Sequence, residues 1–214
     1  MADLDLHGEP AALLVIDLQN AFCHAGGSLA RLGRDIAMCR QAIGPCARLV
    51  AAARRSGVPV IFTQYVYRAD YADADLLLRE MRPALRAAGA LAEGSWDAAQ
   101  VDELPPAPGD YVIRKNRYSA FYGTDLEPLL QRLGVRNLIL CGVTTNMCVE
   151  STARDAMQRD YRVFVAADAT GELEPERHDH ALRAIAFGFG QVVTLDAVLR
   201  ALPPPAVRDG GCLC

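Results

Sequence analysis

The sequence predicts a single α/β domain of three layers, a six-stranded parallel sheet between two layers of helices. Three observations carry this. Short apolar runs recur along the 214 residues, bounded by turn residues, as expected of strands buried on both faces. Helical stretches separate them, giving the β-α-β alternation of a doubly wound sheet. A chain of this length fills one domain with a sizeable core, and two domains would be cramped.

The first strand is expected over Ala12–Asp17. A loop rich in Gly and Cys follows, from Phe22 to Ser28, and then a long helical pattern from Asp35 to Arg55, with a bend expected at Gly44-Pro45. Gly57 stands where a glycine ends a helix. The second strand is Val58–Tyr65. The stretch from Tyr67 to Pro108 is less regular, with a helix expected over Asp73–Ala88, the only tryptophan at 96 and a Pro-rich turn. So long an excursion in a compact domain suits a lid or a substrate wall. Strand three is Tyr111–Lys115, a helix covers Asp125–Arg132, and strand four is Asn137–Cys141. A helix with Cys148 in its first turn runs to Arg159. Strand five is Arg162–Ala167, a helix spans Pro175–Phe187, and strand six is Gln191–Leu195. Residues 203–214, ending in Cys-Leu-Cys, read as a flexible tail with exposed thiols.

Composition excludes several classes. The net charge is −4 and no Lys/Arg run stands out, so a nucleic-acid partner is not expected. No apolar stretch reaches the roughly 18 residues of a membrane span. The N-terminus carries acidic residues and no apolar core of a signal peptide. A cytoplasmic enzyme with a small-molecule substrate is the expectation. Seven cysteines, an odd number with no Cys-x-x-Cys pair, suggest reduced thiols rather than a disulfide framework or a zinc ribbon.

Chemistry gathers at the strand ends. Strand one ends in Asp17, strand three ends in Lys115, and Cys148 follows strand four. In open α/β sheets ligands sit beyond the carboxyl ends of the strands. A helix N-terminus offers free N–H groups and a positive dipole end. Both favour a thiolate, which makes Cys148 a candidate nucleophile. Each residue also has a plainer reading. Cysteine is often an inert core residue, and a strand-end acid or lysine is often just solvated. One acid, one base and one thiol on one rim are hard to explain as packing.

At these residues the chain resembles the isochorismatase-like cysteine hydrolases, which include nicotinamidases, N-carbamoylsarcosine amidohydrolase, biuret hydrolase and ureidoacrylate amidohydrolase. The matching segments are Val15-Ile-Asp-Leu-Gln-Asn-Ala-Phe22, Arg114-Lys-Asn-Arg-Tyr-Ser-Ala-Phe121, Cys141-Gly-Val-Thr-Thr-Asn-Met-Cys-Val-Glu-Ser-Thr152 and Asp168-Ala-Thr170. The resemblance implies a catalytic triad of Asp17, Lys115 and Cys148, and a cis peptide between Val143 and Thr144. It also implies an oxyanion hole formed by the backbone N–H groups of Thr144 and Cys148. No cofactor is implied. Assembly as a homodimer or homotetramer is expected.

The nicotinamidase branch holds a metal through an Asp-x-His pair after its second strand. Here Phe62-Thr-Gln-Tyr-Val-Tyr-Arg68 contains neither residue, so no metal site is expected. His178 and His180 lie two apart on a helix, face different sides and are expected on an exposed polar face. The segments Gly94-Ser-Trp-Asp97 and Val101-Asp-Glu-Leu104 resemble the ureido-cleaving branch. Phe22, Gln64, Tyr118 and Phe121 are the candidate pocket residues. The expected activity is metal-independent cleavage of a small linear amide or ureido C–N bond, with ammonia released through a thioester. The alternatives are a nicotinamidase-type or other carboxamide hydrolase, and a catalytically silent scaffold of the same fold.

Overall fold

The computed structural model describes residues 4–204. Six strands form one sheet: β1 (Ala11–Ile16), β2 (Val60–Tyr65), β3 (Tyr111–Lys115), β4 (Asn137–Val143), β5 (Arg162–Gly171) and β6 (Gln191–Val193). They lie in the order β3-β2-β1-β4-β5-β6, and every pairing is parallel. β1 is buried along its whole length, as a continuous apolar run at the centre of such a sheet should be.

Strand alternation divides the core in two. Leu13 and Val15 of β1, Ile139 and Cys141 of β4, and Phe164 of β5 face α3 (Ala37–Arg55) and the last helix, Leu195–Ala201. Leu14 and Ile16, Leu138 and Leu140, and Val163 and Val165 face the other helical layer. That layer holds Leu126–Arg132, Glu150–Met157 and Pro175–Gly188. Each Leu or Ile fully buried in this way contributes about 1.5–3 kcal/mol.

The order reverses between β1 and β4, so the crevice at the carboxyl ends of those two strands is the topological switch point. Gly142 makes this junction possible. Its φ is +108°, and a Cβ there would lie 2.1 Å from the Ile16 carbonyl oxygen on the neighbouring strand.

Several elements depart from expectation. The Gly- and Cys-rich loop contains two four-residue helices, α1 (Asn20–Cys23) and α2 (Ser28–Arg31). The helix expected over Asp73–Ala88 is broken into a π-helical turn, Leu77–Met81, and α4 (Pro83–Ala87). Pro83 is the cause: it lacks an N–H and drives Arg82 out of the helical region, to φ −142°, ψ 60°. α5 is Leu126–Arg132. The Cys148 helix begins as a π-helical turn, Thr145–Val149, and continues as α6 (Glu150–Met157). β5 runs four residues beyond the expected end, to Gly171, and α7 is Pro175–Gly188. β6 stops early because Thr194 caps α8 (Leu195–Ala201), its side chain accepting from the Ala197 amide. The expected tail falls, from residue 205 on, outside the described residues. No helix among the described residues is long and apolar enough to cross a membrane.

Candidate active site

Asp17 follows β1 directly. Its φ of +50° is left-handed, a conformation unfavourable to a side chain and held here by hydrogen bonds. The Asp17 amide donates to Thr63 Oγ1 (3.1 Å), and the Thr63 hydroxyl donates to Asp17 Oδ1 (2.6 Å). The Gln19 amide donates to the Asp17 carbonyl (2.8 Å).

Lys115 closes β3 and stands in register with Tyr65 of β2. Its ammonium lies 4.2 Å from the centre of the Tyr65 ring. It makes a contact ion pair with Asp17 Oδ2 at 2.6 Å, and both side chains are fully buried. It also donates to Cys148 Sγ (3.3 Å) and to the Arg117 carbonyl (3.1 Å). The ammonium therefore makes two hydrogen bonds and one ion contact. The Asp17–Lys115 contact is short but not aligned as a hydrogen bond, and Asp17 Oδ2 has no hydrogen-bond partner among the described residues.

Cys148 is 3 % exposed and sits in the π-helical turn after β4. The Thr144 carbonyl accepts from the amides of Met147 (3.3 Å) and Val149 (3.2 Å) and passes over that of Cys148. In an α-helix that carbonyl would take the Cys148 amide. The wider turn frees this N–H from the Thr144 carbonyl, and the Val143–Thr144 peptide is cis. Such turns recur at functional sites.

Burial pushes the Cys148 thiol well above its ordinary pKa. Lys115 opposes that shift, and contact with the Asp17 carboxylate adds to it. Burial works against the Lys115 ammonium, but Asp17 and Cys148 outweigh it and hold it above the usual lysine value. Burial thus favours the neutral thiol, beside the buried Asp17–Lys115 ion pair.

Cys148 and Thr144 open into a cavity of about 400 Å³. Phe22 and Tyr118 are on its wall, together with Tyr65, Tyr67 and Glu172. The excursion supplies Leu77, Leu78, Met81 and Arg82 to that wall. Gln64 and Phe121 are not on it. Gln64 alternates with Thr63 and Tyr65 along β2, so it points to the other face and donates to the Ala98 carbonyl (2.8 Å). Phe121 is core, packed on Tyr161 with ring centroids 6.0 Å apart. Trp96 meets the edge of His24, away from the cavity wall.

The sequence reading missed Thr63, Tyr65, Gln19 and His178. Strand alternation was the available signal for the first two, since odd positions of β2 share the face of Ile16 and Cys148. Gln19 accepts from the Tyr65 amide and donates to the carbonyls of Tyr65 and Ala98, joining the excursion to the rim. His178 is not on an exposed face. It is half-buried, with Nδ1 2.9 Å from the Thr145 hydroxyl, which also lies 3.0 Å from the Gly171 carbonyl. His180 is exposed. Among the described residues no group of three His, Cys, Asp or Glu side chains is arranged to hold a metal ion.

The Isochorismatase domain matches residues 11–197, nearly the whole of the described chain. The chain belongs to the isochorismatase family. It is 42% identical over 211 residues to ureidoacrylate amidohydrolase of Methylobacterium radiotolerans, covering 93% of this chain and 82% of that one. Its fold superposes on a cysteine hydrolase from Pseudomonas syringae pv. phaseolicola with a TM-score of 0.81 at 30% identity, over 90% of this chain and 92% of that one. N-carbamoylsarcosine amidase from Thermoplasma acidophilum gives a TM-score of 0.69 at 29% identity, over 87% and 97%. The chain is an amidohydrolase-type enzyme, a hydrolase of C–N bonds.

Proposed function

We propose that this enzyme is a metal-independent cysteine amidohydrolase that cleaves a small linear ureido or amide C–N bond and releases ammonia through a thioester. One observation carries the reading. A buried thiol shares a single ammonium with a carboxylate whose Oδ2 lacks an aligned donor. Asp17 Oδ2 takes the thiol proton, and Lys115 holds the resulting sulfur anion. The sulfur attacks the substrate carbonyl carbon. The amides of Thr144 and Cys148 receive the oxyanion, each such donor being worth about 3–4 kcal/mol in the transition state. Asp17 returns the proton to the leaving nitrogen, and the C–N bond breaks. Water, deprotonated by Asp17, then cleaves the thioester.

The relatives named for ureidoacrylate and N-carbamoylsarcosine direct the substrate reading to linear ureido compounds. Assembly as a homodimer or homotetramer, carried over from the resemblance, and a cytoplasmic location belong to the same proposal.

An ammonia-release screen tests the reading. Ureidoacrylate, N-carbamoyl amino acids and biuret are expected to be turned over well ahead of nicotinamide. Turnover of nicotinamide alone would put the carboxamide alternative first. Prolonged incubation with EDTA is expected to leave the rate with the best substrate unchanged. A loss that zinc or manganese restores would overturn the metal-independent mechanism.

A further inference from the structure

Tyr65 supports the Lys115 ammonium with its ring face, and something must support Tyr65. The ring is 3 % exposed, and a buried phenol needs a partner for its hydroxyl. Its oxygen lies 2.8 Å from the Tyr67 hydroxyl and 3.3 Å from Asp75 Oδ2. The Tyr67 hydroxyl lies 3.2 Å from Asp75 Oδ1, which also accepts from the Leu78 amide (3.1 Å). Arg79 donates to the Asp75 backbone carbonyl (3.4 Å), and the Asp75 carboxylate has no cationic partner among the described residues. Its ligands are two phenols and one amide of the turn that carries Leu77 and Leu78 on the cavity wall.

Proton counting shows what the carboxylate does. The two phenols bring two protons, and a carboxylate accepts without donating. Whichever way the Tyr65–Tyr67 bond runs, Asp75 receives what remains, and all three groups are satisfied. An apolar side chain at position 75 would leave that remaining phenol proton without an acceptor, whereas an amide could still accept it through its oxygen and donate to the other phenol oxygen. With an apolar side chain the strain would fall on the ring that faces the ammonium.

We propose that Asp75 is a positioning residue for the catalytic ammonium, acting through the Tyr65 and Tyr67 hydroxyls to hold the Tyr65 ring against Lys115. The chain of contacts runs from the cavity wall (Leu78 amide) through Asp75 and Tyr65 to the Lys115 ammonium. It gives the excursion a part in the chemistry as well as in enclosing the substrate. The proposal rests on the cysteine amidohydrolase reading for its turnover assay, and a second assay stands apart from it.

Three variants test it: Asp75→Ala, Tyr65→Phe and the two combined. Asp75→Ala is expected to lower kcat about tenfold with little change in KM, the scale of a desolvated cation–π contact. Removing the Tyr65 hydroxyl cuts the link, so the double variant should be no slower than the slower single variant. An Asp75 that only anchors the Leu78 amide would instead raise KM, and its effect would add to that of Tyr65→Phe. Unchanged kcat in Asp75→Ala, or additive losses, overturns the proposal. The second assay needs no substrate. The rate at which iodoacetamide labels Cys148, read peptide by peptide by mass spectrometry, should fall about tenfold in Asp75→Ala, because a misplaced ammonium stabilises the thiolate less. A rate equal to wild type overturns the proposal, even if no ureido compound is ever turned over. Asp75→Asn keeps an acceptor for the phenol proton and should recover most of both losses; losses as large as those of Asp75→Ala overturn the proposal. If Asp75→Ala fails to fold, Tyr65→Phe, which removes the hydroxyl that Asp75 holds, should show the same kcat loss with unchanged KM; a KM effect alone there overturns the proposal too.

Discussion

Cys148→Ser is expected to lower kcat by at least about a thousandfold while leaving the urea unfolding midpoint close to wild type. The reason is acidity rather than shape. Burial already holds the Cys148 thiol well above its ordinary value, against the pull of Lys115. A thiol so placed can still surrender its proton to Asp17 as the carbonyl carbon approaches, because sulfur is polarisable and intrinsically nucleophilic. A serine hydroxyl starts several units further from ionisation and gains nothing from the site that the thiol does not. The substitution changes one atom in a fully packed turn, so no cavity opens. The protonation of Cys148 also has a spectroscopic signature. With the thiol protonated at rest, the absorbance difference near 240 nm between wild type and Cys148→Ser should be flat at neutral pH. It should grow only in strongly alkaline solution. Wild-type turnover in the serine variant would remove Cys148 from the mechanism. A thiolate band at pH 7 would show a preformed sulfur anion instead.

How much of this site was legible before the structure differs residue by residue. Asp17 and Lys115 stood out because each is a charged group at the end of an apolar run, and Cys148 because it follows such a run in the first turn of a helix; a parallel sheet sends all such ends to one rim. The sheet brings them within contact. Thr63 and Tyr65 were hidden because their β2 segment looks apolar, and only its alternation says which side chains share a face. Gln64 in that segment faces away, one residue out of phase. Phe121 shows the opposite limit: its motif marks the site, but its ring packs on Tyr161. The excursion was legible as a wall but not in its form. A broad helical pattern does not reveal that Pro83 splits it. Nor does it reveal that Asp75 is held by tyrosines ten and eight residues earlier. Those are tertiary pairings, and local sequence does not encode them.

Lys115→Met is expected to abolish turnover and to destabilise the fold by about 3–5 kcal/mol, because it strands the Asp17 carboxylate without its partner in the core. That is a large share of the roughly 5–15 kcal/mol that holds a domain together. Thr63 still donates to Oδ1, but Oδ2 has no hydrogen-bond partner among the described residues. Asp17→Asn leaves the reverse problem, an ammonium whose remaining partners are a thiol, one carbonyl and the Tyr65 ring, none of them charged. Removing both charges removes both penalties. The double variant Asp17→Asn with Lys115→Met should therefore recover most of the stability lost by Lys115→Met while remaining inactive. Urea melts and ammonia release on the four proteins separate the two effects. The pair also sets a pH dependence. Lys115 is held above its usual range in the folded state, so its contribution is fully present at neutral pH. It fades only in alkaline solution, as pH rises past the ordinary lysine value and through the raised one. Lys115→Met should lose that alkaline component of the stability curve. If the double variant is no more stable than Lys115→Met alone, the buried pair is not what the substitution breaks. If it is stable and still turns over substrate, Asp17 and Lys115 are structural groups that happen to border the cysteine.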